Sequence, residues 1–427
     1  MGFVSQHATA ASAATAAGPG RPDDGTPGYH ARMAAFYAAS FLVVGSNGPY
    51  LPVWLDWRGL SPWQISIVLA APMFARIVFT PLISFLADRS GQPRLILIGL
   101  AWGTLVSCLA FGLAASFVPI LLVAALYAMF WTTVIPLSEV IAMAGVRRFG
   151  LDYGRMRLWG SISFIVASVG GGFAIAWSGP KAALWVLTAA ALSVVVAAYL
   201  LPHPPMDATA AGDGGCNDGK AGRPGLRLAD ALALARAPLF LLFIATASLS
   251  QAGHAVFYAF GTLHLQRQGV SPAWIGILWA IGVVCEIALF SYSGPIVKRL
   301  GAVRMLQVGA LAGAIRWPLM ALDPHLALLL PLQALHGLTF GATHLGAIHF
   351  MSAALPPSHA GTAQGLFSTS TGAAMGLTLI AAGPLYGALA GGAYAVMTVP
   401  AVLSVCGGLL LGRLWSSGEI VRNRPGP

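Results

Sequence analysis

Four ionisable side chains interrupt long apolar stretches of this sequence: Arg76, Glu139, Glu286 and Arg316. If those stretches are membrane helices, each charge costs roughly 2.5–3.5 kcal/mol on insertion scales unless it is paired or faces water. The planar fork of arginine suits a carboxylate ligand, and a carboxyl group can carry a proton. The residue types therefore indicate anion binding and proton transfer in an apolar environment.

The composition explains why so few charges stand out. Hydrophobic residues make up 57% of the 427-residue chain and charged residues 8%, whereas ordinary globular domains carry roughly 25% charged residues. These values exclude a soluble fold of this size and indicate a helical membrane protein with several spans. The cysteines have neither metal-ligand nor disulfide spacing; they are Cys108, Cys216, Cys285 and Cys406.

About twelve apolar segments of roughly 20 residues are long enough to cross a bilayer. With the N-terminus inside, eighteen of the 23 Lys and Arg residues fall on the inner side, and Arg58, Lys181 and Arg267 fall outside. This asymmetry is the positive-inside rule, so the net charge of +10 is a topology signal and not the footprint of a nucleic acid. We expect helices near 32–55, 63–86, 94–115, 118–141, 157–177, 182–201, 237–263, 273–296, 303–322, 326–352, 361–388 and 393–413.

Polar segments divide the chain into domains. Residues 1–30 are rich in Ala, Gly and Thr and lack the apolar stretch of a signal peptide, which predicts a disordered cytoplasmic tail. Residues 202–236 are rich in Gly, Asp and Pro, which predicts a flexible cytoplasmic linker. We therefore expect six-helix bundles over 31–201 and 237–414, followed by a cytoplasmic tail over 415–427.

The two bundles repeat each other with an offset of 210 residues. GLSPWQI at 59–65 matches GVSPAWI at 269–275, and the same offset carries Arg89 onto Arg299 at the other end of the helix. Agreement at both ends of one helix indicates a true internal repeat.

Arg76 and Glu286 are equivalent under this offset. Both lie about 21 Å along their helices from the outer boundary, and pseudo-twofold symmetry would put them on opposite walls of one central cavity. Either they form a permanent structural pair, or they serve different ligands, Arg76 a carboxylate and Glu286 a proton.

Two parallel six-helix repeats with a long inner linker are the architecture of the major facilitator superfamily. LADRSGQPR at 86–94 resembles that superfamily's loop motif between helices 2 and 3, with departures at three positions. The resemblance implies an all-α membrane protein with twelve transmembrane helices. It also implies that Asp88 and Arg89 form a conformational switch that clamps cytoplasmic helix ends; a solvated turn is the alternative.

Within the superfamily, YLPVWL at 50–55, LDYGRMRLWGS at 151–161, GVVCE at 282–286 and the pair Arg316 and Trp317 resemble the phenylpropionate permease group. That group is related to the lactose permeases and is thought to couple solute uptake to protons. Glu139 and Arg157 have the spacing of the acid–arginine pair with which lactose permeases hold substrate.

The resemblance implies that Arg157 binds solute through its fork and that Trp159 supplies an apolar wall. A positive-inside anchor is the alternative role for Arg157. Arg316 and His336 also have the lactose-permease spacing, and we place Arg316 with the substrate-binding residues. The acid that follows the histidine by three residues in those permeases is Thr339 here.

Glu286 is then the leading candidate for the proton carrier, because a carboxyl group that gains and loses an arginine partner can exchange its proton. His336 is a candidate relay.

Asn47 lies in GSNGP at 45–49, which predicts a loosened helix whose amide and carbonyls face the cavity. Tyr258 and Trp279 are candidate aromatic walls, although most such rings serve packing. The histidines do not converge at i, i+4, so we predict no metal and no cofactor.

These features favour a secondary active transporter of the inner membrane, with both termini cytoplasmic. We expect proton-coupled uptake of a small organic acid with an aromatic or apolar body; a proton-coupled sugar or nucleoside permease is the alternative. Other classes of protein need features that we do not find in the sequence. A non-transporting sensor needs a signalling module, a channel needs repeated filter sequences, and an enzyme needs a phosphate loop or a nucleophile–base set. The expected protein is a monomer in the lipid bilayer that binds solute and protons and no nucleic acid.

Overall fold

The computed structural model describes residues 26–202 and 228–420, and long helices dominate these residues without any β-strand among them. Most of the predicted tail and linker lies outside the described residues, as does the chain after residue 420. The first helix begins at Thr26, within the predicted tail. Leu228–Arg236 forms a short helix within the predicted linker.

Each predicted membrane segment corresponds to one helical segment, and we label these α1 to α12 in chain order. The first six are α1 (Thr26–Trp57), α2 (Pro62–Ser90), α3 (Pro93–Leu113), α4 (Phe117–Trp131 and Val134–Phe149), α5 (Tyr153–Ser178) and α6 (Ala182–Leu200). The second six are α7 (Pro238–Ala252 and Ala255–Arg267), α8 (Pro272–Ser291 and Ser293–Leu300), α9 (Ala302–Met320), α10 (Leu326–Ala334, the π turn Gly337–Ala342 and Thr343–Ala354), α11 (Ala360–Leu389) and α12 (Ala393–Leu414).

Nine helical stretches of the described chain are long and apolar enough to cross a membrane. In this number a helix with a break is counted as one stretch, and α11 and α12 are counted together as Ala360–Leu414. The predicted all-α membrane fold is confirmed.

The repeated sequence motif builds the same turn in both halves. Gly59 and Gly269 each adopt φ = +82°, a left-handed conformation that glycine tolerates without strain. Ser61 and Ser271 then cap α2 and α8 by accepting a hydrogen bond from the backbone N–H three residues later, at 3.4 Å in both copies. A proline follows in the first helical turn of each, where its missing N–H costs nothing. The repeat therefore fixes how both helices start.

The helices alternate in direction, so their loops gather at two ends of the molecule. We name as the basic end the one that carries the loops after α2, α4 and α8, with their arginines. The opposite end carries the loops after α1, α7 and α9.

The two halves meet at the opposite end. Gly276 of α8 lies so close to the Ser168 carbonyl of α5 that a β-carbon would overlap it, and Gly383 of α11 lies equally close to the first turn of α2. Arg267 of α7 forms an ion pair with Asp56 in the last turn of α1, at 3.4 Å across the halves. These contacts close the opposite end and leave a cavity between the halves towards the basic end.

Helix α1 is continuous through the GSNGP stretch, so the predicted loosening is not found. Gly45 lies against the backbone of Phe164 in α5, which shows that this glycine serves close helix packing. The prolines at 49 and 52 lie inside the helix without ending it. The packing between α1 and α5 provides the physical reason, because it supports the helix where two backbone donors are missing.

We expect Gly276→Ala to open the opposite end, because the added methyl group would overlap the Ser168 carbonyl at a cost of about 1–3 kcal/mol. Spin labels at Lys181 and His325, one in each half, should report a longer distance in this variant. Gly170→Ala is the matched control, since nothing lies within 4 Å of a β-carbon there. An unchanged distance distribution in Gly276→Ala would show that this contact does not hold the halves together.

Candidate functional site

A cavity of about 740 Å³ lies between the two halves. It extends from Leu51 and Leu379, near the closed end, to Gln364 on the basic side, and helices of both halves contribute to its wall. Its size is within the usual range for small-molecule sites, roughly 300–1,000 Å³. The cavity is therefore the candidate solute site.

The internal repeat continues into the cavity wall. Both α2 and α8 present one face to it, at positions i, i+3, i+4 and i+7 of a helix. The four residues from α2 and their counterparts 210 positions later in α8 are Leu69, Pro72, Met73 and Arg76, and Trp279, Gly282, Val283 and Glu286. Arg76 and Glu286 thus line one cavity from opposite halves, as the offset predicts.

Arg157 lines the cavity from the first turns of α5. Its guanidinium carbon lies 3.9 Å from the ring centroid of Phe41 and 5.8 Å from that of Tyr37. Within the described residues it has neither a hydrogen-bond acceptor nor an ion-pair partner. Stacking covers the face of the guanidinium and leaves its N–H edges for a ligand.

Arg76 is partnered differently. It donates to the side-chain oxygen of Ser368 at 3.0 Å and lies 3.4 Å from the backbone oxygen of the same residue. Ser368 belongs to α11 and lines the cavity too, so this hydrogen bond joins the two halves beside the solute site.

Glu286 lies next to a close contact between α8 and α10. Gly337, at the start of the π turn of α10, lies against the backbone of Cys285. No described residue forms an ion pair with Glu286 within 4.0 Å, but Arg157 of the other half is near enough to interact with it electrostatically. Glu286 and Arg157 therefore line one cavity from opposite halves without forming an ion pair.

Arg316 is completely buried, with 0% exposure, and is not part of the cavity wall. It donates to Gln333 Oε1 at 2.7 Å and Thr339 Oγ1 at 3.2 Å, and it lies 3.5 Å from His336 Nδ1. The ring of Phe257 is 5.0 Å away. The contacts of this cation are thus with neutral groups, and three of them, Phe257, Gln333 and His336, separate it from the cavity that they line.

The position of Arg316 fixes the hydrogen-bonding state of His336. A guanidinium only donates, so His336 accepts at Nδ1, and its neutral ring then carries hydrogen on Nε2. His254 lies behind it, with Nε2 2.9 Å from Thr339 Oγ1 and Nδ1 3.0 Å from the Gln251 carbonyl oxygen. His254 is an interior hydrogen-bonded residue.

Glu139 does not line the cavity. It accepts a hydrogen bond from the Tyr153 hydroxyl at 3.1 Å, and the Tyr153 ring meets Tyr37 edge-on at 6.3 Å. The predicted pairing with Arg157 is therefore indirect in this state, through the two tyrosines.

Trp159 is 51% exposed and lies outside the cavity wall, so the apolar wall expected there is not found. Successive residues of an α-helix turn by about 100°, so Trp159 points about 200° away from Arg157. Phe41 of α1 contacts Arg157 in its place.

Asp88 and Arg89 are exposed at the basic end, where α2 ends at Gly91 with φ = +63°. Neither forms an ion pair with another described residue, so they do not clamp neighbouring helices in this state. Their role as a switch stays a prediction.

Asn47 and Tyr258 line the cavity, as expected. Sequence reasoning missed further neutral polar residues of the cavity wall, four of which are named below, because Gln, Ser and Thr in an apolar helix give no distinctive signal. These cavity residues are Gln251, Gln333, Ser368 and Thr371.

Comparison with known proteins agrees with this architecture. The model of the "MFS_1 like family" matches residues 30–398. The chain is 31% identical to the "Probable 3-phenylpropionic acid transporter" of Escherichia coli (strain K12), over 87% of this chain and 94% of that protein. It is 28% identical to the "Maltose permease" of Geobacillus stearothermophilus, over 78% and 81% of the respective chains.

A solved structure, that of the nucleoside transporter NupG, superimposes with a TM-score of 0.75 at 18% identity and covers 91% of this chain and 99% of its own. At that identity the likeness concerns the fold. Fold and cavity together define a secondary transporter of the major facilitator type, a multi-pass membrane protein whose relatives are transporters and not enzymes. The chain belongs to the MFS_1 like family.

We expect Arg316→Gln to lower the thermal unfolding temperature without any solute present. The substitution leaves the acceptors of the buried cation unpaired, at about 1–3 kcal/mol for each buried group. Arg157→Gln is the control, because Arg157 has no hydrogen-bond acceptor among the described residues and should change the unfolding temperature much less. Equal shifts in the two purified variants would contradict the structural role of Arg316.

Proposed function

We propose that this protein is a proton-coupled permease that takes up a small organic monoanion, with an aromatic acid as the favoured solute. The observation that carries the proposal is the unpaired guanidinium of Arg157 in the cavity wall. Arg157 is only partly buried, so its free N–H edges are accessible from the cavity, and the carboxylate of a solute would pair with them through two parallel hydrogen bonds.

The charges of the cavity wall support a monoanion. Arg76 and Arg157 carry positive charge, and Glu286 is the acid that lines the cavity with them. With Glu286 protonated in the solute-bound state, the wall carries two positive charges. Arg76 already donates to Ser368, which leaves Arg157 for a single carboxylate. Arg316 adds a further cation directly behind this wall.

Coupling follows from competition for Arg157. Glu286 and the solute carboxylate would alternate as its partner, because both carry negative charge and Arg157 lies within electrostatic range of Glu286. While solute occupies Arg157, Glu286 would hold a proton. When solute leaves, Glu286 would release the proton and stabilise Arg157, which lets the empty carrier return.

The described conformation fits one half of an alternating-access cycle. By the positive-inside rule the basic end is cytoplasmic, so the cavity faces the cytoplasm and the contacts of Gly276 and Gly383 close the outside. Rocking of the two halves would reverse this arrangement. Asp88 and Arg89 would act at the basic end during that step.

The 31% identity to the "Probable 3-phenylpropionic acid transporter" of Escherichia coli (strain K12) supports an aromatic acid as solute. A proton-coupled sugar or nucleoside permease is the second candidate, and it is supported by the maltose permease and by the 27% identity to the "Putative nucleoside transporter YegT" of Escherichia coli (strain K12). The candidates differ in charge, so thermal-shift measurements with 3-phenylpropionate, maltose and uridine would separate them. Stabilisation by a neutral ligand alone would overturn the proposal.

We expect Arg157→Lys to weaken binding of 3-phenylpropionate about tenfold or more. The lysine keeps the positive charge but loses the bidentate fork, and a charge-assisted hydrogen bond contributes roughly 1.5–3 kcal/mol. Isothermal calorimetry on the detergent-solubilised protein would measure the affinity, with Arg155→Lys, two residues away on an exposed face of the helix, as the matched control. An unchanged affinity in Arg157→Lys would reduce this residue to a topology anchor.

We expect Glu286→Gln to exchange solute across the membrane but to lose accumulation driven by a pH gradient. Glutamine imitates the protonated acid permanently, so the step that returns the empty, deprotonated carrier is blocked. Proteoliposomes containing one protein preparation would be used for both measurements. Glu139→Gln is the control, because Glu139 lies outside the cavity wall and should keep accumulation.

Two results would count against this scheme. Retained accumulation in Glu286→Gln would move the proton to another group, with His336 as the next candidate. Indifference of the wild-type protein to the pH gradient would make it a facilitator, and the coupling proposal would fall while solute binding stood.

A further inference from the structure

Three aromatic rings of the second half form a layered surface beside the cavity, which we name the aromatic platform: Phe257, Tyr258 and Trp279. The ring centroids of Phe257 and Trp279 are 4.7 Å apart with an interplanar angle of 30°. Those of Tyr258 and Trp279 are 6.2 Å apart at 24°. The indole of Trp279 is thus inclined by 30° or less to each of its two neighbours, whereas Phe257 and Tyr258 are tilted by 54° to each other. All three centroid distances lie in the range where aromatic pairs attract.

The central ring of the platform is held in place. The indole N–H of Trp279 donates to Thr262 Oγ1 at 3.1 Å, which fixes the plane of the ring. Phe257 is only 2% exposed and supports the indole from behind. Trp279 and Tyr258 are half-buried and line the cavity, so both rings are accessible to whatever occupies it.

The first half has no equivalent surface at this position. The repeat counterpart of Trp279 is Leu69, which lines the cavity from α2. Phe41 is the ring of the first half nearest to the charged group, but the guanidinium of Arg157 already covers it. An aromatic ring of the solute that stacks on Trp279 would therefore lie against the second half of the protein.

The platform and the charged groups are separated along α8. Trp279 and Glu286 are seven residues apart on one helix face, which corresponds to about 10 Å at 1.5 Å per residue. Arg157 interacts with the Glu286 end of this line. A solute that reaches both places has a carboxylate at one end and a ring at the other, joined by a short chain.

We propose that Trp279 is a specificity-determining residue that stacks on the aromatic ring of the solute, with Thr262 and Phe257 as the residues that position it. The inference rests on the proposed function and sharpens it: the permease distinguishes aryl acids from saturated acids of the same size. Apolar area alone would not make that distinction, since a saturated ring buries as much surface as a flat one.

The test compares three acids with the same number of carbon atoms: 3-phenylpropionate, 3-cyclohexylpropionate and nonanoate. We expect the wild-type protein to bind 3-phenylpropionate roughly three- to tenfold more tightly than 3-cyclohexylpropionate, as an aromatic pair predicts. Trp279→Leu, which installs the residue of the repeat counterpart, should abolish this ratio. Trp279→Phe should retain part of it.

Thr262→Val supplies the measurement that does not depend on removing the ring. Valine has nearly the shape of threonine but cannot accept the indole N–H, so the ratio should fall while binding of 3-cyclohexylpropionate stays unchanged. If Trp279→Leu binds none of the acids, the affinity ratio of 3-phenylpropionate to 3-cyclohexylpropionate in Thr262→Val tests the proposal instead. A ratio equal to that of the wild-type protein would overturn the proposal.

The remaining outcomes distinguish failure of the aromatic selectivity from failure of the proposed transport function. Equal affinity of the wild-type protein for all three acids would overturn the aromatic platform as a selector and leave monoanion transport intact. A wild-type preference that survives in Trp279→Leu would assign selectivity to another ring. Failure of the wild-type protein to bind any of the acids would overturn the proposed function itself.

Discussion

A positive charge among membrane helices needs compensation, and the three arginines in or behind the cavity wall obtain it in three ways. Arg316 is enclosed by neutral acceptors and aromatic rings. Arg76 reaches across the halves to Ser368. Arg157 has a ring beneath it and no acceptor within the described residues. The three side chains are chemically identical, so only their partners distinguish a buried cation, a contact between the halves and the proposed ligand site.

Helix packing brings these groups together. Glycines at 276 and 383 allow α5 to approach α8, and α2 to approach α11, which sets how far apart the cavity walls stand. Identical caps at Ser61 and Ser271 start α2 and α8 in the same way. The two cavity-lining faces consequently have the same register, and a single offset relates the cation of one half to the acid of the other.

Periodicity made much of this arrangement predictable. Apolar length located the membrane helices, and the 210-residue offset brought Arg76 and Glu286 to one cavity, because a repeat constrains helix and register together. Spacing along the chain was a weaker guide to single side chains. Trp159 is near Arg157 in sequence but on another face of α5, and Arg316 is in the right helix but behind the cavity wall.

The remaining differences arise from tertiary contacts that leave no trace in a single sequence. The continuity of α1 through GSNGP depends on Gly45 meeting α5, and Thr262 becomes informative only when the indole of Trp279 lies beside it. Local composition reports what a segment tolerates. Contacts between helices decide which tolerated conformation is adopted.

The volume of the cavity has a consequence for leakage. Water occupies about 30 Å³ per molecule in the liquid, so a cavity of about 740 Å³ holds on the order of two dozen waters when no solute is present. Closing the protein around that content would either carry the water along or strip hydration from Arg157 and Glu286. Each of these two processes is unfavourable unless the two side chains neutralise each other. An empty carrier with unpaired charges therefore rarely changes conformation, and leakage across the membrane stays low.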